Sequence, residues 1–177
     1  MKHPFHYKLI GTVPSDLLAE LQAMVVKQPY LTVPDFEGSV IQVCNKLPPE
    51  DQLLLNKFYD ICMSKYFRLT GNLGTNIARM APNCYLNEHS DYTAVNYGKI
   101  QDSIVKLQIP IITNDRVGMM WSKDKELPAT CVNMIAGGIY IIDNVRVHSC
   151  VNLSNEYRYN ITSRFHIDSV IDAITIV

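Results

Sequence analysis

Apolar positions in the first third of the chain return every three or four residues. Ser15 precedes Leu17, Leu18, Leu21, Met24 and Val25, a spacing that lines one side of a helix and begins at a residue suited to capping it. After Pro34 and Gly38 the run Val40-Ile41-Gln42-Val43-Cys44 reads as a short strand. Pro48-Pro49 then opens a second helical run through Leu54, Phe58, Ile61 and Cys62 that ends near Tyr66. From Gly71 onward the period shortens. Short β-rich pieces are predicted at Ile104 to Thr113, Cys131 to Met134, Ile139 to Ile142 and Tyr157 to Asp168. Turn signals separate them at Thr113-Asn114-Asp115, Ser122-Lys123-Asp124, Gly137-Gly138 and Asp143-Asn144.

Alternation in two of these pieces says what surrounds them. In the last, Tyr159, Ile161, Phe165 and Ile167, with Ser163 among them, point one way. Arg158, Asn160, Thr162, Arg164 and His166 point the other. The piece from 104 shows a weaker form, with Leu107, Ile109 and Ile111 opposite Lys106 and Gln108. If the apolar faces meet helices or a second sheet, the polar faces look into water or a polar cavity. The expected fold is therefore mainly β with supporting helices, a double-sheet barrel buttressed on one side. A length of 177 residues suits one domain, spanning 1–177, with 1–70 as a helical support region and 71–177 as the barrel core. Residues 29–38, rich in Pro and Gly, have the length to act as a lid.

Sixteen Lys and Arg against seventeen Asp and Glu give a formal charge of −1, without a block of like charges. Nucleic acid and anionic membrane are therefore not expected partners. The start, Met1-Lys2-His3-Pro4-Phe5-His6, has no signal-peptide pattern and no stretch is long and apolar enough to span a bilayer, so a soluble, cytoplasmic protein is expected. Five scattered cysteines, Cys44, Cys62, Cys84, Cys131 and Cys150, read as core thiols rather than a disulfide framework or a thiolate zinc site. His3 and His6 read as tail residues. Trp121, with Met119 and Met120, reads as an apolar strand covering the barrel, and Ser149 has no nucleophile motif around it that would support a hydrolase.

His89-Ser90-Asp91 places an imidazole and a carboxylate two residues apart, on the same side of an extended chain. His148, after the Asp143-Asn144 turn, is the candidate for a third ligand. Two histidines and one carboxylate leave open positions on Fe(II) for a bidentate co-substrate and oxygen. His-x-Asp alone is a common tripeptide, and a surface His-Asp contact explains it equally well. Arg158 gives it weight: ten residues beyond His148 on the polar face of the next strand, it stands where 2-oxoglutarate, chelated through its keto-acid end, would need a cation for its far carboxylate. His166, eight residues along the same strand and so roughly 26 Å away, belongs near the rim. Tyr85, Asn87, Asn152, Asn160 and Thr162 are further candidates for the pocket lining.

About the last hundred residues resemble a known family, the Fe(II)/2-oxoglutarate-dependent dioxygenases, and within it the aspartyl/asparaginyl β-hydroxylase-like branch. Ala78-Arg79-Met80-Ala81-Pro82 through Glu88-His89-Ser90-Asp91 resembles its strand leading into the first iron ligand. Leu107-Gln108-Ile109-Pro110-Ile111-Ile112-Thr113-Asn114 resembles its next signature. Gly137 to Asp143, followed by His148-Ser149-x-x-Asn152-x-x-x-x-x-Arg158, resembles the third. The resemblance implies a double-stranded β-helix of jelly-roll or cupin-like type, Fe(II) held by His89, Asp91 and His148, and 2-oxoglutarate held by Arg158. It also implies helper roles for Lys106 and Gln108, at positions where the branch often carries Arg and His, and turnover with O2 and, in vitro, ascorbate as reductant. Asp91 is a departure from the animal enzymes that named the branch, which lack the carboxylate. The implied reaction is hydroxylation of an amino-acid side chain, in a free amino acid, a small amino-acid-bearing compound or a peptide residue, with 2-oxoglutarate converted to succinate. A cupin-like protein that binds a metal or small ligand without oxygen chemistry is the competing reading, and a catalytically dead interaction domain is a third.

Overall fold

Strands and helices follow one another as β1 (Tyr7–Thr12), α1 (Ser15–Val26), β2 (Leu31–Thr32), β3 (Ile41–Cys44), α2 (Pro49–Phe58), β4 (Asn72–Met80), β5 (Cys84–His89), β6 (Ile104–Ile112), β7 (Val117–Trp121), β8 (Thr130–Val132), β9 (Gly138–Ile142), β10 (His148–Asn152) and β11 (Arg158–His166). The computed structural model describes residues 5–32, 41–44, 46–90 and 104–171. A π-helical turn (Tyr59–Met63) extends α2, and 3-10 turns lie at Leu69–Gly71 and Ile167–Ser169.

Local chemistry sets the helix ends. Pro49 occupies the first turn of α2, where its missing N–H costs nothing, with Glu50 and Asp51 at the positive end of the helix dipole and Lys57 in its last turn. In α1 the cap position belongs to Pro14, so Ser15 is the first helical residue and makes no capping bond, contrary to the role expected of it. Leu17, Leu21, Met24 and Val25 form the buried stripe, as their spacing predicts.

All strand pairs are antiparallel and fall into two sheets. The major sheet has the order β1-β9-β6-β11-β4-β3-β2 and the minor sheet β5-β10-β7-β8. The helices cover one face of the major sheet. Val105, Leu107, Ile109 and Ile111 of β6 and Tyr159, Ile161 and Phe165 of β11 are buried against Leu21, Val25, Leu55, Phe58 and Met63. Each such side chain contributes ~1.5–3 kcal/mol as an upper estimate. The opposite, polar faces of β6 and β11 turn inward, towards the minor sheet. There a smaller apolar cluster of Met119, Trp121, Met134, Tyr140 and Ile142 closes one side of the barrel, so Trp121 and Met119 cover it as expected.

Two expectations change. Residues 1–70 are more than a helical support, because β1, β2 and β3 all join the major sheet and β1 pairs with β9. Of the cysteines, Cys62 and Cys150 are buried and Cys84 is half-buried, but Cys131 is exposed on β8 and is no core thiol; the Cys44 side chain lies outside the described residues. Residues 33–38 of the expected lid lie outside them too. Among the described residues no helix is long and apolar enough to cross a membrane.

Candidate metal and dicarboxylate site

β10 runs between β5 and β7, and His148 at its start stands opposite His89 on one side and Trp121 on the other. Strand parity alone would not bring the two imidazoles together. Cys150 pairs with Leu86 and Asn152 with Cys84, so even-numbered β5 residues share the inner face. Between the pairs His148–His89 and Cys150–Leu86, β5 spends three residues where β10 spends two. This bulge turns the odd-numbered His89 inward, an example of an extra residue re-aiming a side chain beside a site. The two rings end 4.4 Å apart between centroids.

Both rings are oriented from behind. His148 Nδ1 lies 2.8 Å from the Arg146 carbonyl oxygen, and His89 Nδ1 lies 2.8 Å from that of Asn87. A carbonyl can only accept, so each Nδ1 carries a proton, and the neutral form of each ring has its lone pair on Nε2. This is the arrangement that prepares a histidine to ligate a metal. His148 is buried and flanked by Trp121, with 6.5 Å between ring centroids. Trp121 is itself fixed, donating from Nε1 to the Asp143 carbonyl at 2.9 Å.

His6 is not a tail residue. It is buried, stacks on Trp121 at 5.6 Å and an interplanar angle of 5°, and its Nδ1 meets Thr130 Oγ1 at 2.9 Å. Burial, followed by the nearby Arg146 charge, lowers its pKa, while Asp124 and Asp143 oppose the shift. His3 lies outside the described residues.

Arg158 is 6% exposed, at the start of β11 on the inward face. It donates from Nη1 to Cys150 Sγ at 2.7 Å and from Nη2 to Asn160 Oδ1 at 3.2 Å, while its Nε has no partner. No carboxylate pairs with it among the described residues. A buried guanidinium served by a thiol and an amide alone is an unfavourable resting state unless an anion completes it. Cys150 follows His148 by two residues on the same face of β10, roughly 7 Å along the strand, so the guanidinium lies one pleat from the imidazoles. A void of about 30 Å³ adjoins it, lined by Ala78, Arg79, Met80, Arg158 and Asn160.

The other predicted residues divide. Gln108 is buried and accepts from Thr162 Oγ1 at 3.3 Å across the β6–β11 pair. With Asn160 and the half-buried Lys106 they form the inner wall of the major sheet. Tyr85 stands opposite Val151 on the outer face of the minor sheet, 65% exposed, and does not line the pocket. Asn87 is exposed and serves through its carbonyl. Asn152 is wholly buried but committed to structure: Nδ2 donates to the Ala81 and Glu156 carbonyls, each at 2.8 Å, and Oδ1 accepts from Ser154. His166 caps the last 3-10 turn. Arg164, opposite Lys106, is exposed. Asp91 lies outside the described residues. Among those described, no three His, Cys, Asp or Glu side chains are grouped so as to hold a metal ion.

A larger groove of about 680 Å³ lies among α2, the π turn and β4, lined by Gln52, Asn56, Tyr59, Asp60, Asn72 and Thr75 with Leu side chains. It offers no imidazole. The paired imidazoles and the buried guanidinium mark the inner site instead, with a donor set suited to a divalent ion and a dicarboxylate.

No protein-family model matches the chain, and no curated protein sequence does. Solved structures are similar. An oxidoreductase of the 2OG-Fe(II) oxygenase family from Burkholderia pseudomallei has a TM-score of 0.67 at 13% identity, over 94% of this chain and 87% of that one. A Pseudomonas putida prolyl-4-hydroxylase has a TM-score of 0.64 at 14% identity, over 93% and 92%. HygX from Streptomyces hygroscopicus, solved with nickel and 2-oxoglutarate bound, has a TM-score of 0.67 at 9% identity, over 91% and 82%. The chain thus has the double-stranded β-helix fold in which 2-oxoglutarate- and iron-dependent oxygenases are built.

Proposed function

We propose that the protein is a non-haem Fe(II)/2-oxoglutarate-dependent oxygenase. His89, His148 and Asp91 would hold the iron, and Arg158 would bind the far carboxylate of 2-oxoglutarate. The observation that carries this reading is the pairing of two Nε2-presenting imidazoles with a buried arginine that lacks a carboxylate partner among the described residues, one pleat away. The similar HygX structure, with nickel and 2-oxoglutarate bound, supports it.

Bound iron, 2-oxoglutarate and O2 would supply the oxidation: one oxygen atom is inserted into a substrate C–H bond and the other enters succinate as carbon dioxide leaves. The chain's own residues supply position. The two carbonyl-tied Nδ1 atoms fix both ligand rings, and Asn160 Oδ1 holds the guanidinium in plane for a bidentate carboxylate, which Lys could not bind the same way. Trp121, Met119, Tyr140 and Ile142 keep water from one side of the barrel. Lys106 and Gln108 would assist at the co-substrate, and Gln108, Thr162 and Asn160 would present polar groups to the substrate. Aspartyl/asparaginyl β-hydroxylase-like chemistry on an amino-acid side chain, free or within a small molecule or peptide, is the substrate class we assign, on the three sequence motifs that carry that resemblance.

Succinate release with Fe(II) and ascorbate tests the class. Slow turnover without substrate should occur and disappear in His89→Ala and His148→Ala; persistence in both variants would refute the site. N-oxalylglycine, a 2-oxoglutarate mimic, should raise Tm in the presence of Mn(II). Arg158→Ala should weaken its binding on the order of tenfold to a hundredfold, from the loss of one charge-assisted pair. A non-oxidative cupin-like protein would bind the metal and show neither response.

A further inference from the structure

We infer that Arg146 is a positioning residue for His148, and that the turn at 122–128 is the grip through which it acts. The inference rests on the reading of His148 as a metal ligand.

Arg146 lies two residues before His148, in the connection from β9, and its side chain is 2% exposed. Among the described residues, three carboxylates from two separate loops surround it. Nε donates to Asp124 Oδ2 at 2.7 Å, Nη1 to Asp143 Oδ2 at 3.2 Å and Nη2 to Glu126 Oε2. The cage is closed at both ends. Asp143 Oδ1 accepts from the backbone N–H groups of Val145 and Arg146 at 3.0 and 3.2 Å. Asp124 Oδ1 accepts from those of Glu126 and Leu127, each at 2.8 Å, and Ser122 N–H donates to the Val147 carbonyl at 3.1 Å. The backbone of Arg146 is therefore clamped from both sides, and its carbonyl is the acceptor that holds His148 Nδ1–H.

Stability alone does not account for such a cage. Buried ion pairs are commonly replaceable by apolar groups without loss, and three acids around one guanidinium go beyond neutralising it. What the cage does fix is the direction of one carbonyl, and with it the tautomer and tilt of the imidazole in front. The surplus of acid groups behind that ring also favours a cation on its Nε2. Asp124 and Glu126 arrive from the β7–β8 connection, so a turn remote in sequence controls how firmly His148 is aimed.

The test uses the full chain carrying both Asp124→Asn and Glu126→Gln, which leaves the buried Arg146–Asp143 pair and the amide oxygen that closes the turn. In metal-free protein, 15N NMR of His148 should show the Nδ1–H tautomer in the unmutated chain and a mixture of tautomers in the variant. Titration with Mn(II) alone should show binding weakened about tenfold or more, the usual result of losing a group that orients a ligand. An unchanged tautomer or an unchanged Mn(II) affinity in the folded variant overturns the inference. Should the double variant not fold, Glu126→Gln alone, whose carboxylate is 61% exposed, must move both readings in the same direction. Mn(II) binding that is indifferent to His148→Ala in otherwise unmutated protein would instead defeat the metal reading itself, and that titration reports it separately.

Discussion

Behind the major sheet lies a broad apolar layer in which Phe58, Phe67, Ile77, Leu107, Ile109 and Phe165 are fully buried. The minor sheet shares only a small cluster around Trp121 and Met119, and is held largely by polar devices: the Asn152 staple, the Trp121–Asp143 bond and the Arg146 cage. One sheet is a stable wall that carries the buried arginine; the other is a framed surface that carries the two imidazoles. Apolar burial tolerates small displacements because it has no direction, whereas hydrogen-bonded networks fix orientation and fail when one member is lost. The two facing rings thus stand on the sheet built on directional bonds.

The largest expected effect breaks the wall. Phe165 stacks on Phe67 at 4.4 Å between centroids and meets Tyr59 edge-on, so Phe165→Ala should lower unfolding free energy by ~3–5 kcal/mol in urea titration. A loss below about 1 kcal/mol would mean that the layer tolerates cavities and that the contrast is wrong. Next, Asn152→Ala removes the buried amide that ties the Ala81 and Glu156 carbonyls to Ser154, and should cost ~1–3 kcal/mol. Hydrogen exchange should then rise first in 148–157 and only later in β11; a uniform rise across both sheets would show that they open together.

The smallest effect concerns acid. His6 has a folded pKa below its unfolded 6.5. The unfolded chain therefore takes up the proton first, and stability present above about pH 6.5 is lost as pH falls towards the folded pKa. His6→Phe retains a ring against Trp121 and removes the titrating group. The difference in Tm between pH 7.5 and pH 5.5 should shrink in this variant, and an undiminished difference would assign the acid sensitivity to other groups.

What the sequence disclosed follows from period. α1, β6 and β11 each bury one face against a continuous layer, so their patterns were readable, and the alternation of β11 set Arg158 on the inner face. β1 was hidden because an extra residue between Leu9 and Gly11 interrupts its alternation. β7 was readable as an apolar strand through Met119, Met120 and Trp121, but its inward face was not, because Val117, Gly118, Met119 and Trp121 are buried on both faces and show no period. The Arg146 cage joins acids about twenty residues away, a pairing with no spacing rule to reveal it. Tyr85, a candidate for the pocket lining, has the parity of His89 in an unbroken strand, and the uneven count of β5 against β10 sends it outward instead.

That uneven count has a consequence for any attempt to shorten, graft or recombine this scaffold. Pairing Leu86 to His89 residue for residue with the neighbouring strand, without the bulge, would keep every chemical group and still turn the first imidazole outward. Register is thus as much a part of the candidate site as residue identity: a scaffold that supplies the same residues on an evenly paired strand would present only one of the two rings inward.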